Sequence, residues 1–463
     1  MAESSAAPVR QRFPPQIKFL AWNEGCERFS YYGMTSVLTI HMVRNLLMRE
    51  SSAEASYHLF GTAVYLTPLV GAWIADRFWG RYRTVFWLSF AYVLGHATLA
   101  AFESAWGLFA GLTLIAAGAG GIKPCAAAFV GDQFTRENRG LLKKVYDLYY
   151  WMINLGSTAG QLAIPYLLDR VGARVAFGLP GLAMAVALVI FWMGRKRYRY
   201  AAPTGPNPHG FLNVVWSAAT APSPALPAGR ASGLERAAAR HPPEAIEGAR
   251  AVLRICQVFA PIVGFWALFF QYGSSWVLQA ERMDREVLGL HLASSQVSFL
   301  NAVFVMMIIP LFAGGLYPWL ERRGVQVTAL RKMGAGMFVT VLSFVAAWAV
   351  EHALQGGLNV NVAWQVPQYL FVSVGEVLVS VTALEFAYTQ APPAMKSTIM
   401  GLWYLTIGLG NFVTAAVSAA NRFHGPAYFA FFVWLMLGCA IWYVQAARGY
   451  RVVEYAAPAG EGA

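Results

Sequence analysis

Glu24, Glu27 and Arg28 stand inside an apolar stretch from about Ile17 to Leu47, long enough to cross a bilayer as one helix. At ~1.5 Å per residue, Glu24 lies about 10 Å past the start of that stretch, too deep for a charge at a helix end. Glu24 and Arg28 are one turn apart, and Glu27 falls on a neighbouring face. Ionisable groups at such depth are costly unless they pair or face a water-filled cavity, so two acids and a base here mark an ion or substrate path. The plainer reading is a static Glu24 to Arg28 pair locking the helix to its neighbours, but a closed pair would leave Glu27 without a partner.

The elements that must hold these charges are membrane helices. Hydrophobic residues make up 57% of the 463 positions and charged ones 13%, against about 25% charged in a soluble domain, so the chain reads as a polytopic, all-α membrane protein. Spanning windows fall at 17–47, 54–77, 82–102, 104–131, 142–168, 174–194, 252–279, 292–318, 329–350, 363–391, 397–420 and 426–446, twelve in two sets of six. The expected organisation is an N-terminal six-helix bundle at 1–197, a cytoplasmic linker at 198–250, a C-terminal six-helix bundle at 251–448 and a cytoplasmic tail at 449–463. The linker is rich in Pro, Ala, Gly and Ser. Its apolar fragment 210–216 is too short to span, and Ala245 to Arg254 suit a short helix leading into the seventh span. A six-plus-six layout is that of carriers built from two bundles that hold substrate at the bilayer midplane.

The net charge of +12 does not point to nucleic acid, because the basic residues gather in alternate connections rather than on one face. Arg77, Arg81 and Arg83, then Arg136, Arg139, Lys143 and Lys144, then Arg195 to Arg199, then Arg322, Arg323, Arg331 and Lys332 mark one side, which the positive-inside rule makes cytoplasmic along with both termini. The first 16 residues lack an apolar run with a cleavage site, so no removable signal peptide is expected. Cys26, Cys125, Cys256 and Cys439 fall in predicted spans at no metal-ligand spacing, which indicates neither a disulfide framework nor a zinc site.

Gly71-Ala72-Trp73-Ile74-Ala75-Asp76-Arg77-Phe78-Trp79-Gly80-Arg81 resembles the signature loop of the major facilitator superfamily. The resemblance implies that Gly71 permits close helix contact while Asp76, with Arg77 and Arg81, latches a cytoplasmic gate. The stretch from Glu24 through Arg28, Tyr31, Tyr32 and Gly33 to Met34 resembles the first-helix motif of proton-coupled oligopeptide transporters within that superfamily. Tyr57-His58, Tyr65-Leu66-Thr67-Pro68, Gly121-Ile122-Lys123-Pro124, Tyr149 to Ser157, Phe265 to Phe269, Gly375-Glu376 with Ser380, and Leu384 to Pro392 extend the likeness over most of the chain. It implies a symporter importing dipeptides and tripeptides with protons by alternating access. Such a carrier works as a monomer in the plasma (bacterial inner) membrane, with no cofactor, metal or nucleic acid.

A short peptide carries a carboxylate and an ammonium at fixed reach, so its site needs a basic and an acidic pole. Arg28 by a bidentate fork and Lys123 as a point charge suit the carboxylate, and Glu376 with Asn301 suits the ammonium. By resemblance Tyr31, Tyr32, Tyr65 and Asn154 contact the peptide backbone, while Ser380 and Trp403 line side-chain pockets. No phosphate-cradling G-x-x-x-x-G-K motif is present, so uphill transport is expected to draw on a proton gradient. Glu24, Glu27 and His58 are the candidate proton carriers, His58 lying about one turn from the outer end of the second span. Two positions depart from the family, Thr35 where many members have Arg and Phe270 where they have an acid, which puts a proton site on the seventh helix in doubt. The competing readings are a carrier of nitrate, an amino acid or a peptide-like solute on the same scaffold, and a non-transporting peptide sensor. No nucleophile, base and orienting group converge at the spacing an enzyme needs.

Overall fold

A computed structural model describes residues 13–135, 138–203, 205, 207–220 and 233–453. Arg136 and Glu137, the linker positions 204, 206 and 221–232, and the first 12 and last ten residues lie outside the described residues.

Helix dominates because apolar side chains at every turn leave the backbone no other way to satisfy its N–H and C=O groups in lipid. Among the described residues, eight helical runs are long and apolar enough to cross a membrane, or nine if a bent pair counts as one. One run, Glu50–Ala101, is 52 residues long and holds two passages. Adding the more polar α1 (Ile17–Ile40) and α5 (Leu142–Arg170), the described residues are consistent with twelve passages. The charges of α1 that draw attention to it are also what keep it off a hydropathy count. The two passages of the long run are α2 (Glu50–Ile74) and α3 (Gly80–Ala101), joined by a π-turn over Ala75–Trp79. The reversal falls on Gly80, whose φ of 71° a side chain would resist.

By packing, the chain divides into two units: Met1–His41 with Thr67–Gly205, and Met42–Leu66 with Pro206–Ala463. Helix α2 therefore starts in the second unit and ends in the first. In the first unit α4 (Ala105–Asp132) packs on α3, and α6 (Ala173–Met193) packs on α1 and α3. Small residues decide how close the helices come. A β-carbon on Gly160 of α5 would stand 2.7 Å from the Phe29 carbonyl oxygen of α1, and one on Gly33 of α1 would stand 2.7 Å from Ile164 Cγ1 of α5. One on Gly156 would run into the Gly25 carbonyl. Backbone-to-backbone contact of this kind replaces the hydrophobic drive that lipid does not supply.

In the second unit the linker supplies α7 (Phe211–Thr220), whose Val214 and Ala218 pack with Ala237, Ala245, Ile246 and Ala249. The segment expected as a short lead-in helix is instead the start of α8 (Pro243–Phe259), a single helix that runs on into the seventh passage. Pro261 interrupts it, and α9 (Ile262–Phe269) continues at 50°. A 3-10 turn over Phe270–Gly273 then leads into α10 (Ser275–Glu281). The connection that follows is a two-stranded hairpin, Glu286–Val287 with Leu290–His291. Asp284 anchors it by accepting from the Asn361 side-chain amide at 2.9 Å and the Glu286 backbone at 3.0 Å, two bonds that hold its carboxyl below the usual range. The remaining passages are α11 (Phe299–Leu311) with α12 (Tyr317–Arg322), α13 (Ala329–Gln355), α14 (Val366–Glu376) with α15 (Thr382–Thr389), α16 (Lys396–Ala420) and α17 (Pro426–Gly449). In this unit the exposed Arg282 forks onto the buried Glu351 at 2.8 and 3.0 Å, and Gln279 donates to the same carboxylate at 3.0 Å.

Replacing Gly160 by Leu forces α1 and α5 apart, because backbone cannot yield as a flexible side chain can. An overpacking penalty of about 1–3 kcal/mol is expected. The apparent melting temperature in detergent should fall by several degrees, whereas Gly178→Ala, whose β-carbon makes an ordinary 3.7 Å contact, should leave it unchanged.

Candidate functional site

The charges of α1 fold into one cluster. Arg28 Nε lies 2.6 Å from Glu24 Oε1 and 3.2 Å from Glu27 Oε2. The pair with Glu24 is therefore closed without stranding Glu27, contrary to the reading in which a closed pair leaves that acid alone. Both carboxylates are buried, at 1% and 0% exposure, and neighbouring helices complete their coordination. Tyr149 of α5 donates to Glu24, and Tyr92 of α3 donates to Glu27 Oε1 at 3.4 Å. Tyr149 reaches α1 because Gly156 and Gly160 further along α5 bring the two helices together.

Lys123 of α4 places its Nζ 4.3 Å from the centre of the Tyr31 ring, a cation–π contact, and is within electrostatic reach of Arg28, Glu27 and Glu24. Tyr31 and Tyr32 meet edge to face at 5.3 Å. Four of the residues singled out from sequence (Glu24, Glu27, Arg28 and Lys123) thus form one assembly in which two cations balance two carboxylates. Asn154 stands apart from these contacts, its amide donating to the Tyr150 carbonyl of its own helix at 2.9 Å. Thr35 folds back on α1 in the same way, donating to the Tyr31 carbonyl at 3.0 Å.

The second unit carries an acidic group with different neighbours. Asn301 of α11 donates to Glu376 Oε2 at 2.9 Å and lies 3.1 Å from Ser373 Oγ, one turn before it on α14. Glu376 is the last α-helical residue before a π-turn over Val377–Val381 that contains Ser380. Wide turns of this kind are frequent at functional sites because they redirect the flanking side chains. Trp403 packs against Phe259 and Trp266, each with ring centres at 5.5 Å, while Tyr65 meets Phe270 at 5.4 Å and Tyr404 at 6.4 Å. Phe270, the position where an acid is common in the family, is an aromatic core residue stacked at 5.8 Å on Trp266.

His58 lies deeper than expected. Helix α2 begins at Glu50, so the histidine is more than two turns in, not one, and it is fully buried. Its Nδ1 is 3.0 Å from Asn411 Oδ1 of α16, and its Nε2 is 2.8 Å from Ser274 Oγ at the α9–α10 break. The Asn411 amide nitrogen is bonded to the Ile407 carbonyl, so its oxygen faces the ring and Nδ1 carries the hydrogen. Ser274 can donate to or accept from Nε2, so the pocket accommodates either protonation state. In the last turn of α2 Gly71 abuts the Gly120 backbone, and in the turn between α2 and α3 Arg77 lies over the Phe78 ring. The Asp76 carbonyl accepts from the Gly205 amide at 3.1 Å. Arg81 forms its ion pair with Asp132 at the end of α4, and Asp76 is a more distant charge.

Sequence reasoning did not single out Tyr92, Ser373, Ser274, Asn411 or Asp132, and it named Tyr149 only as the first residue of a matched stretch, without a role. A lone polar residue in an apolar span was the available signal for Asn411 and Ser373. Tyr92 carried none, since aromatic residues in membrane helices mostly pack.

Because Arg28 bridges both acids, Arg28→Met leaves two buried carboxylates against Lys123 alone and should cost about 3–5 kcal/mol. The double change Arg28→Met, Glu24→Gln, which leaves one carboxylate with one cation, should be nearer to wild type. Melting of the three proteins in detergent at pH 7.5 checks the order; a double variant no more stable than the single one would contradict it.

A family model described as the POT family matches residues 82–226 and 230–423. Solute carrier family 15 member 2 of Mus musculus is 38% identical over 390 residues, 80% of this chain and 53% of that protein. Peptide transporter 3 of Caenorhabditis elegans is 35% identical over 393 residues, 80% of this chain and 54% of that one. The chain thus spans about half the length of the curated relatives it matches. Among solved structures, the in meso crystal structure of the POT family transporter PepTSo is similar with a TM-score of 0.89 at 39% identity, covering 95% of this chain and 99% of that chain.

Proposed function

The chain belongs to the POT family, the proton dependent oligopeptide transporters, with a helical major facilitator fold, and from that premise we propose that it imports dipeptides and tripeptides together with protons. The observation that carries the reading is the charge balance of the α1 cluster. Arg28 and Lys123 contribute +2 and Glu24 and Glu27 contribute −2, a sum of zero. A peptide carboxylate arriving there would leave one uncompensated negative charge in a buried site, which is costly. Protonating Glu24 or Glu27 restores neutrality and frees Arg28 to fork onto the substrate. Proton and carboxylate therefore enter as a neutral set, which is symport.

Glu376, steadied by Asn301, takes the peptide ammonium. A carrier of bare anions such as nitrate has no use for that carboxylate. Tyr31, Tyr32, Tyr65 and Asn154 serve the peptide backbone, and Ser380 and Trp403 line side-chain pockets where aromatic walls bury area without demanding one shape. His58 supplies a second proton station, and Gly71, Asp76, Arg77 and Arg81 form the cytoplasmic gate. The working unit is a monomer in the plasma (bacterial inner) membrane with both termini cytoplasmic. Residues 1–197 and 251–448 are its two six-helix bundles, joined by the linker 198–250.

Glu376→Gln removes a charge-assisted contact worth about 1.5–3 kcal/mol. The KM for a labelled dipeptide in proteoliposomes should rise about ten- to hundred-fold, and an N-acetylated dipeptide, which lacks the ammonium, should be equally poor for both proteins. Unchanged uptake by Glu376→Gln would refute the zwitterion assignment. His58→Gln keeps a polar side chain in the pocket but cannot take up a proton, so pH-driven accumulation should fall while peptide binding persists. Full accumulation by that variant would remove His58 from the coupling scheme.

A further inference from the structure

Glu54 belongs to none of the roles assigned above, yet it is a nearly buried carboxylate on α2, 9% exposed and four residues before His58. That spacing places the two residues on one face of the helix, about 6 Å apart along the axis. Glu54 Oε2 accepts from Ser418 Oγ of α16 at 3.1 Å, and Ser418 Oγ lies 3.2 Å from the Tyr428 hydroxyl of α17. The Tyr428 hydroxyl is also placed near Glu54 itself and near Ser275, the neighbour of the Ser274 that holds His58. Three neutral hydroxyl groups therefore gather around one acid and its histidine neighbour.

A cavity of about 330 Å³ opens beside Glu54, lined among others by Arg49, Glu50, Arg282, Glu351 and His424. The charges acting on Glu54 are the like charge of Glu50 on its own helix and the opposite charge of Arg282, just past the end of α10. Arg282 is already committed to Glu351 by its two-pronged bond, so it does not neutralise Glu54 by contact. His58, for its part, has both ring nitrogens against neutral partners, Asn411 and Ser274. A proton on His58 in this buried pocket needs a counter-charge. The acid one turn away on the same face is the group placed to give it.

We propose that Glu54 is a proton-binding residue of the transport cycle, exchanging protons with the polar cavity and supplying, when ionised, the counter-charge that lets His58 hold its own. Water in the cavity gives a proton to the carboxylate, forming the carboxyl that Ser418 and Tyr428 can hold by turning their hydroxyls. Transfer of that proton from the Glu54 carboxyl to His58 Nε2 restores the carboxylate beside the imidazolium it now balances, with Ser274 Oγ turning from donor to acceptor. This inference rests on the reading of the protein as a proton-driven peptide carrier.

The test uses the full chain in proteoliposomes with labelled dialanine, measured in two modes. In the first an inward-acid gradient drives accumulation. In the second, counterflow against unlabelled internal dialanine at equal pH requires no net proton movement. Glu54→Gln should lose at least about tenfold in gradient-driven accumulation while keeping counterflow within about twofold of wild type. Glu54→Asp, which retains the titrating group, should recover accumulation with a shifted pH profile. Accumulation by Glu54→Gln equal to wild type would overturn the proposal, and so would loss of both modes, which would mark Glu54 as structural. A wild-type protein silent in both modes would instead refute the transport reading and this inference with it, an outcome distinct from any result confined to the variant.

Discussion

A carboxylate removed from water must be balanced by a cation or by a proton, and much of this molecule's organisation follows from that constraint. Two acids on α1 share a single guanidinium, and Lys123 supplies the second positive charge from α4. The hydroxyls of Tyr149 and Tyr92 come from α5 and α3, so four helices of the first unit converge on one pair of acids. Glycines on α1 and α5 are the price of that convergence, since only a hydrogen fits where the two backbones touch. Helix packing and charge compensation are in this sense one design.

The second unit meets the same constraint with amides and hydroxyls. Glu376 is held by Asn301, Glu54 by Ser418 and Tyr428, and His58 by Asn411 and Ser274. A neutral hydrogen-bonding partner tolerates both the charged and the uncharged form of the group it contacts, whereas an ion pair stabilises only one. Where Arg282 does grip Glu351, the two-pronged bond ties α13 to the residue that follows α10. Within this unit, then, Glu351 has an ionic partner, while Glu376, Glu54 and His58 have neutral ones.

Much of the fold was legible in the chain because lipid permits so few solutions. Apolar windows located the passages to within a few residues, and the charge run of α1 identified the cluster before its partners were known. The sequence windows missed the true start of α2 at Glu50 because Glu50 and Glu54 lower the local hydropathy, and with that start they misjudged the depth of His58. The partners of the acids were harder to read, since Tyr92 and Tyr149 resemble any packing aromatic until α1 is set beside α3 and α5. Arg81 was expected to act with Asp76, but Asp132 lies 51 positions away on a helix whose approach sequence does not encode locally. Phe270 was legible as a departure, yet its role as a stacking partner of Trp266 depends on the bend at Pro261 that turns α9.

The π-turn that follows Glu376 bears on which way that acid points. Such a turn holds one residue more than an α-turn. Each residue of an α-helix advances the azimuth by about 100°, so excising one residue between Val377 and Val381 would restore regular winding while rotating Glu376 by roughly that angle against α15. The orientation of this carboxylate is therefore encoded by a local count of residues rather than by the side chains around it, and a helix with the same amino acids but one fewer would present its negative charge to a different neighbour.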